Sequence, residues 1–186
     1  MEREQIPTQK QFASTALQVF KPIFEKYGFK KYRKRVKSNF SFIIFKKDTQ
    51  YINIHASTYP RDYPFYYEIY LGDGECYEYE SSEPHTYFEA LYNSINLMIL
   101  KAQSENIANV YSYKYPFLEQ VTISLENAKK DLIKYAANFL KGDLHEFLKQ
   151  RKELNKHKRP LTHYKYDDDY LNELTQKSFE AWKKFS

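Results

Sequence analysis

The sequence predicts an α+β domain: one N-terminal helix, then an antiparallel four-stranded meander, then C-terminal helices packed on one face of the sheet. Three observations lead there. Apolar residues recur at helical spacing from Phe12 to Tyr27. They alternate with polar ones at a period of two from Phe29 to Gly72, between turn signals, and return to helical spacing after Phe88. Strands thus cluster early and helices late, the order expected of segregated layers rather than of alternating β-α units.

Residues 1–7 read as a frayed lead. Thr8 suits a helix N-cap, and Phe12, Ala16, Val19, Phe20, Ile23, Phe24 and Tyr27 form the apolar stripe, with Gly28 as the stop. Pro22 lies inside this pattern and predicts a kink, or a break followed by a second short helix.

Four strands follow, near Phe29–Val36, Phe40–Lys47, Tyr51–Thr58 and Phe65–Leu71. Lys37-Ser38-Asn39 and Asp48-Thr49-Gln50 suit tight hairpins, and two prolines stiffen the longer loop from Tyr59 to Pro64. Period two then sorts the side chains. Ile52, Ile54 and Ala56 share a face with Tyr67, Ile69 and Leu71, leaving Tyr51, Asn53 and His55 beside Tyr66, Glu68 and Tyr70 on the other. The second strand is apolar on both faces, which predicts a strand that is covered on both sides or central.

An acidic connector runs from Asp73 to Glu83, and helices follow. One is marked by Phe88, Leu91, Tyr92, Ile95, Met98, Ile99 and Ala102, and another by Leu118 through Phe139, ending at Gly142. A shorter helix spans Asp143–Asn155, with Asp143 as N-cap and Leu144, Phe147 and Leu148 as its buried stripe. A terminal helix is predicted near Asp168–Phe185. No internal repeat or low-complexity linker divides the 186 residues, so they read as a single domain.

Composition narrows the functional classes. A net charge of +5 arises from 29 bases against 24 acids, below the dense positive stripe of a dedicated DNA binder. One cysteine allows no internal disulfide, which suits a reducing cytoplasm. The N-terminus carries no signal-peptide core, and no apolar run approaches the roughly 18 residues of a membrane span. The expected location is cytoplasmic, without membrane contact.

No motif for catalysis stands out. Cys76 lies between Glu75 and Glu78, where negative charge disfavours a thiolate. The five histidines are scattered and no Cys cluster exists, so no metal site is expected. The four glycines build no phosphate-cradling loop, and no cofactor is expected. His55 and Glu68 could approach each other on neighbouring strands, where the carboxylate would hold the imidazole charged. A structural pair is the commoner outcome of such an arrangement.

Two basic clusters, 30–37 and 149–159, allow nucleic-acid binding. In the first, Arg33, Arg35 and Lys37 alternate onto one face, with Lys30, Tyr32, Lys34 and Val36 on the other. Basic residues there equally suit an edge strand guarded against sheet-to-sheet aggregation. The second lies on a helix end, where cations complement the helix dipole. The candidate partner-binding set is Arg33, Arg35, Tyr51, Asn53, His55, Tyr66, Glu68 and Tyr70, because Tyr and Arg contribute area and directed hydrogen bonds together.

The opening helix closing on Tyr27-Gly28-Phe29-Lys30-Lys31, the Tyr/Phe-rich meander, the Phe139–Leu144 joint and the Arg151–Arg159 tail carry a resemblance. They resemble small bacterial proteins of unknown function, some of which are similar to immunity proteins encoded beside secreted polymorphic toxins. The likeness covers about two thirds of the chain. It implies a non-enzymatic binder that occludes a toxin domain and contributes no catalytic residues; nucleic-acid binding is the alternative.

Overall fold

Thr8 opens the first helix, α1 (Gln9–Lys26), through a reciprocal capping box: its side chain accepts from Gln11 N at 3.2 Å, and Gln11 Oε1 accepts from Thr8 N at 2.9 Å. The helix runs unbroken through Pro22, so the expected second short helix does not form. The missing N–H leaves the Gln18 carbonyl unbonded, but both residues are exposed and water can satisfy it. Gly28, at φ +86°, ends α1 in a Schellman motif. Phe29 N donates to Phe24 O at 2.9 Å and Gly28 N to Glu25 O at 3.0 Å, with the Phe24 and Phe29 rings in contact.

This is a computed structural model. It describes residues 6–58, 65–74, 76, 92–108 and 110–156. The expected loop at 59–64, most of the acidic connector and the terminal helix near 168–185 lie outside the described residues. The chain falls into two compact units, Met1–Glu153 and Leu154–Ser186, and the sheet with the helices packed on it belongs to the first.

The four predicted strands form as β1 (Lys30–Val36), β2 (Phe40–Lys47), β3 (Gln50–Ser57) and β4 (Tyr66–Asp73), an antiparallel meander. Asp48, at φ +52°, takes the left-handed position of the two-residue turn between Lys47 and Gln50. Beyond β4 lie β5 (Ser94–Asn96), α2 (Leu97–Glu105), β6 (Tyr113–Lys114), α3 (Leu118–Tyr135), α4 (Ala137–Lys141) and α5 (His145–Asn155). The sheet order is β1-β2-β3-β4-β5, with β6 also on β4. The outer edge of β4 is therefore shared: β5 pairs with its end at Tyr70–Gly72 and β6 with its start at Tyr66 and Tyr67.

The residues read as one helix from Phe88 to Ala102 do not all belong to one. Phe88 and Leu91 lie outside the described residues, Tyr92 and Asn93 are helical, Ser94–Asn96 is a strand, and a new helix begins at Leu97. The Asn96 side chain accepts from Met98 N at 2.9 Å, so this residue caps a new helix instead of continuing an old one. The predicted helix ending at Gly142 is likewise divided at Ala136, whose φ of −120° is not helical. In α5, Phe147 is buried as expected, but Leu148 is exposed, and Asp143 accepts from His145 N at 3.1 Å.

Helices cover one sheet face. The stripe of α1 packs on the face formed by Ser41, Ile43 and Phe45 of β2 and Ile52, Ile54 and Ala56 of β3, while Tyr67, Ile69 and Leu71 of β4 continue that face and α2 contacts β4; all nine sheet residues are buried. Phe24 meets Phe45 edge-on at 4.7 Å and Phe12 meets Tyr67 at 5.2 Å. Within this apolar layer Ser41 Oγ donates to Gln9 Oε1 at 2.6 Å and Gln9 Nε2 donates to Thr58 Oγ1 at 3.1 Å, so the buried amide is satisfied. α3 lies beside α1, and its Ser124 hydroxyl is 3.1 Å from the Tyr67 hydroxyl.

Candidate binding face and basic edge

The opposite sheet face carries all eight residues singled out in the sequence. The strand registers place them in rows: Phe40, Ser57 and Tyr66; then Arg35, Phe42, His55 and Glu68; then Arg33, Ile44, Asn53 and Tyr70; then Lys46, Tyr51 and Gly72. Rigid neighbouring strands fix these positions, so side chains from distant parts of the sequence become adjacent.

The face is not uniformly wet. Phe42, Ile44 and Tyr51 are buried and cluster with Cys76. The sequence predicts a solvent-facing contact residue at Tyr51, yet it is only 2% exposed. Its ring lies over Gly72, the one position in the neighbouring strand without a side chain to obstruct it. Burial raises the Tyr51 hydroxyl pKa well above its ordinary value, against the opposing effect of a hydrogen bond with Ser94. Cys76, in this apolar setting, is a packing residue. Arg33, Arg35, Asn53, His55, Tyr66, Glu68 and Tyr70 are half-buried.

His55 and Glu68 are direct cross-strand neighbours, as a hairpin of β3 and β4 requires. The charged pair that this proximity would allow is not formed: no hydrogen bond or ion pair joins the two side chains, and neither shifts the other's pKa. Burial lowers the imidazole pKa and favours its neutral form. Burial also raises the Glu68 carboxyl pKa, opposed by the Tyr70 hydroxyl, which donates to Glu68 Oε2 at 3.1 Å, and by Lys114. Lys114, which no sequence pattern singles out, reaches this patch from β6 and sets its ammonium 5.0 Å from the Tyr66 ring centre. Asn53 Oδ1 is buried with no hydrogen-bond donor from the protein, which would cost about 1–3 kcal/mol if water did not reach it.

These shifts predict opposing pH effects. A carboxyl raised in the fold contributes stability that is present below its ordinary value of 4.5 and is lost as pH rises through the raised one. Glu68→Gln keeps an acceptor for Tyr70 and removes that loss. Its melting temperature should exceed that of the parent at neutral pH, with the difference closing below pH 4.5. The depressed imidazole acts the other way: its contribution is present above 6.5 and is lost as pH falls through the lowered value. Thermal melts across pH on both proteins check this, and equal melting temperatures at neutral pH would show that the carboxylate is not penalised by the fold.

The basic cluster forms the edge strand β1, but not with the predicted alternation. The register slips between Lys31 and Arg33, so Tyr32 is an extra residue opposite β2. The bulge puts Lys30, opposite Lys46, on the same face as Arg33 and Arg35, and leaves Lys34 and Val36 on the helix face. Lys30, Lys31, Lys34 and Lys37 are exposed, as is Tyr32, with the Lys46 ammonium 3.9 Å from its ring centre. In the second cluster Arg151 has a structural task. Its Nη1 donates to Asp73 O at 2.8 Å and Asn93 O at 3.3 Å, and residues 157–159 lie outside the described residues.

Among the described residues no three potential ligands converge on a metal-sized space, and no helix is long and apolar enough to cross a membrane. No family model, curated protein or solved structure matches the chain, so the reading of this surface rests on its own chemistry.

Proposed function

We propose that the chain is a non-enzymatic binding protein that docks a protein partner on the sheet face opposite α1 and acts by occlusion. The supporting observation is the grouping on rigid strands of half-buried His55, Tyr66, Glu68 and Tyr70, with Lys114 beside them and Arg33 and Arg35 along the same face. Such groups offer ring area and directed hydrogen bonds at little cost in side-chain ordering. Tyr51 supports this face from beneath instead of touching the partner. The finer reading, an immunity-type inhibitor of a secreted toxin domain in the cytoplasm, draws on the resemblance of the helix-meander pattern.

The test is co-expression with a toxin domain encoded beside this gene, followed by titration of the purified pair. Tyr66→Ala with Tyr70→Ala should weaken binding at least about tenfold while the melt stays cooperative. Unchanged affinity in a folded double variant would remove this face from consideration. A second reading has single-stranded nucleic acid on β1, favoured by exposed Tyr32 among exposed lysines.

A further inference from the structure

We propose that the outer edge of β1 is a strand-addition site for an extended, acidic protein segment. This goes beyond the face-docking reading and uses a different surface. β1 terminates the sheet order, and among the described residues only β2 pairs with it. Lys37 N donates inward to Phe40 O at 2.8 Å. Antiparallel ladders alternate inward and outward residues, so Arg35 and Arg33 also face β2, while Lys34 and Val36 turn their N–H and C=O groups outward. A partner strand would find two peptide units there, ready to continue the sheet.

Charge selects which strand fits. β1 holds five bases and no acid in seven residues, and Lys30, Lys31 and Lys34 are exposed along this edge. A second copy of β1 would set bases against bases, so the edge opposes self-pairing. An incoming strand with carboxylates at alternate positions meets the lysines with opposite charge. The bulge at Tyr32 confines regular pairing to Arg33–Val36, which favours a short segment over a long stacked one.

The probe is a fluorescein-labelled peptide of alternating Glu and Val, read by anisotropy with the full chain. Two control probes accompany it: the same peptide with a central proline, which keeps the charge but cannot complete the ladder, and a single-stranded oligonucleotide of equal charge. The alternating peptide should bind at least tenfold more tightly than either control. Lys34→Pro removes an outward N–H and leaves the β1–β2 hydrogen bonds in place, so it should lose at least tenfold, and Lys34→Ala should lose less. Amide exchange of the unmodified chain supplies a readout that needs no variant: Lys34 and Val36 should gain protection on adding the peptide. The Tyr66→Ala, Tyr70→Ala protein should bind the peptide as the parent does, which separates this site from the face. Equal binding of all three probes would reduce the edge to charge attraction, tighter binding of the oligonucleotide would assign it to nucleic acid, and absence of peptide binding or of protection would overturn the proposal.

Discussion

Gly72→Val is expected to destabilise the protein by about 3 kcal/mol, at the upper end of the usual cost of overpacking. A Cβ built on Gly72 falls 2.0 Å from Tyr51 Cζ, well inside any permitted contact. The ring cannot swing clear, because it is buried against Phe42, Ile44 and Cys76. Relief must come from moving β3 relative to β4 or from ejecting the ring. For a chain of this length the melting temperature should fall by about 6–12 °C. The pair should be strongly non-additive: with Tyr51→Ala already made, the obstruction is gone, and Gly72→Val should cost about 1 kcal/mol or less. A full additive penalty in the double variant would show that Gly72 is required for backbone reasons and not for the ring.

Phe24→Ala should be at least as damaging, at about 3–5 kcal/mol. Phe24 has no exposure and touches Phe20, Phe29 and Phe45, so it joins α1, its terminating turn and β2. Truncation leaves a cavity between layers that the rigid strand cannot fill. Phe24→Leu retains most of the volume and should cost about 1–2 kcal/mol. Denaturant titration measures both, and a small loss for the alanine variant would mean that α1 settles into the gap.

The meander is legible in the sequence because its signals are local. Phe40–Lys47 emerges with its predicted bounds, between turns that the sequence marks, and its two apolar faces announce the burial found on both sides of this strand, which is paired along both edges. Ser94–Asn96 is illegible because three residues are too few to break a helical rhythm, and their strand form depends on β4. The bulge at Tyr32 is hidden for a related reason: with bases on both sides of every position, a one-residue slip leaves no trace in the polarity pattern. Period two alone places the candidate face. It does not reveal the dry centre, although Gly72 inside a strand is a usable hint that something large lies across it. Lys114 and Arg151 reach their partners only through tertiary structure, and no spacing rule could find them.

The Arg151 guanidinium has a consequence for how this chain can change. It holds the carbonyls of Asp73 and Asn93 together, where β4 ends and β5 is about to begin, and Gly72 pairs with Ser94 alongside. One side chain from α5 thereby clasps the end of β4 to the start of β5, strand ends twenty residues apart in sequence, and losing it would release both at once.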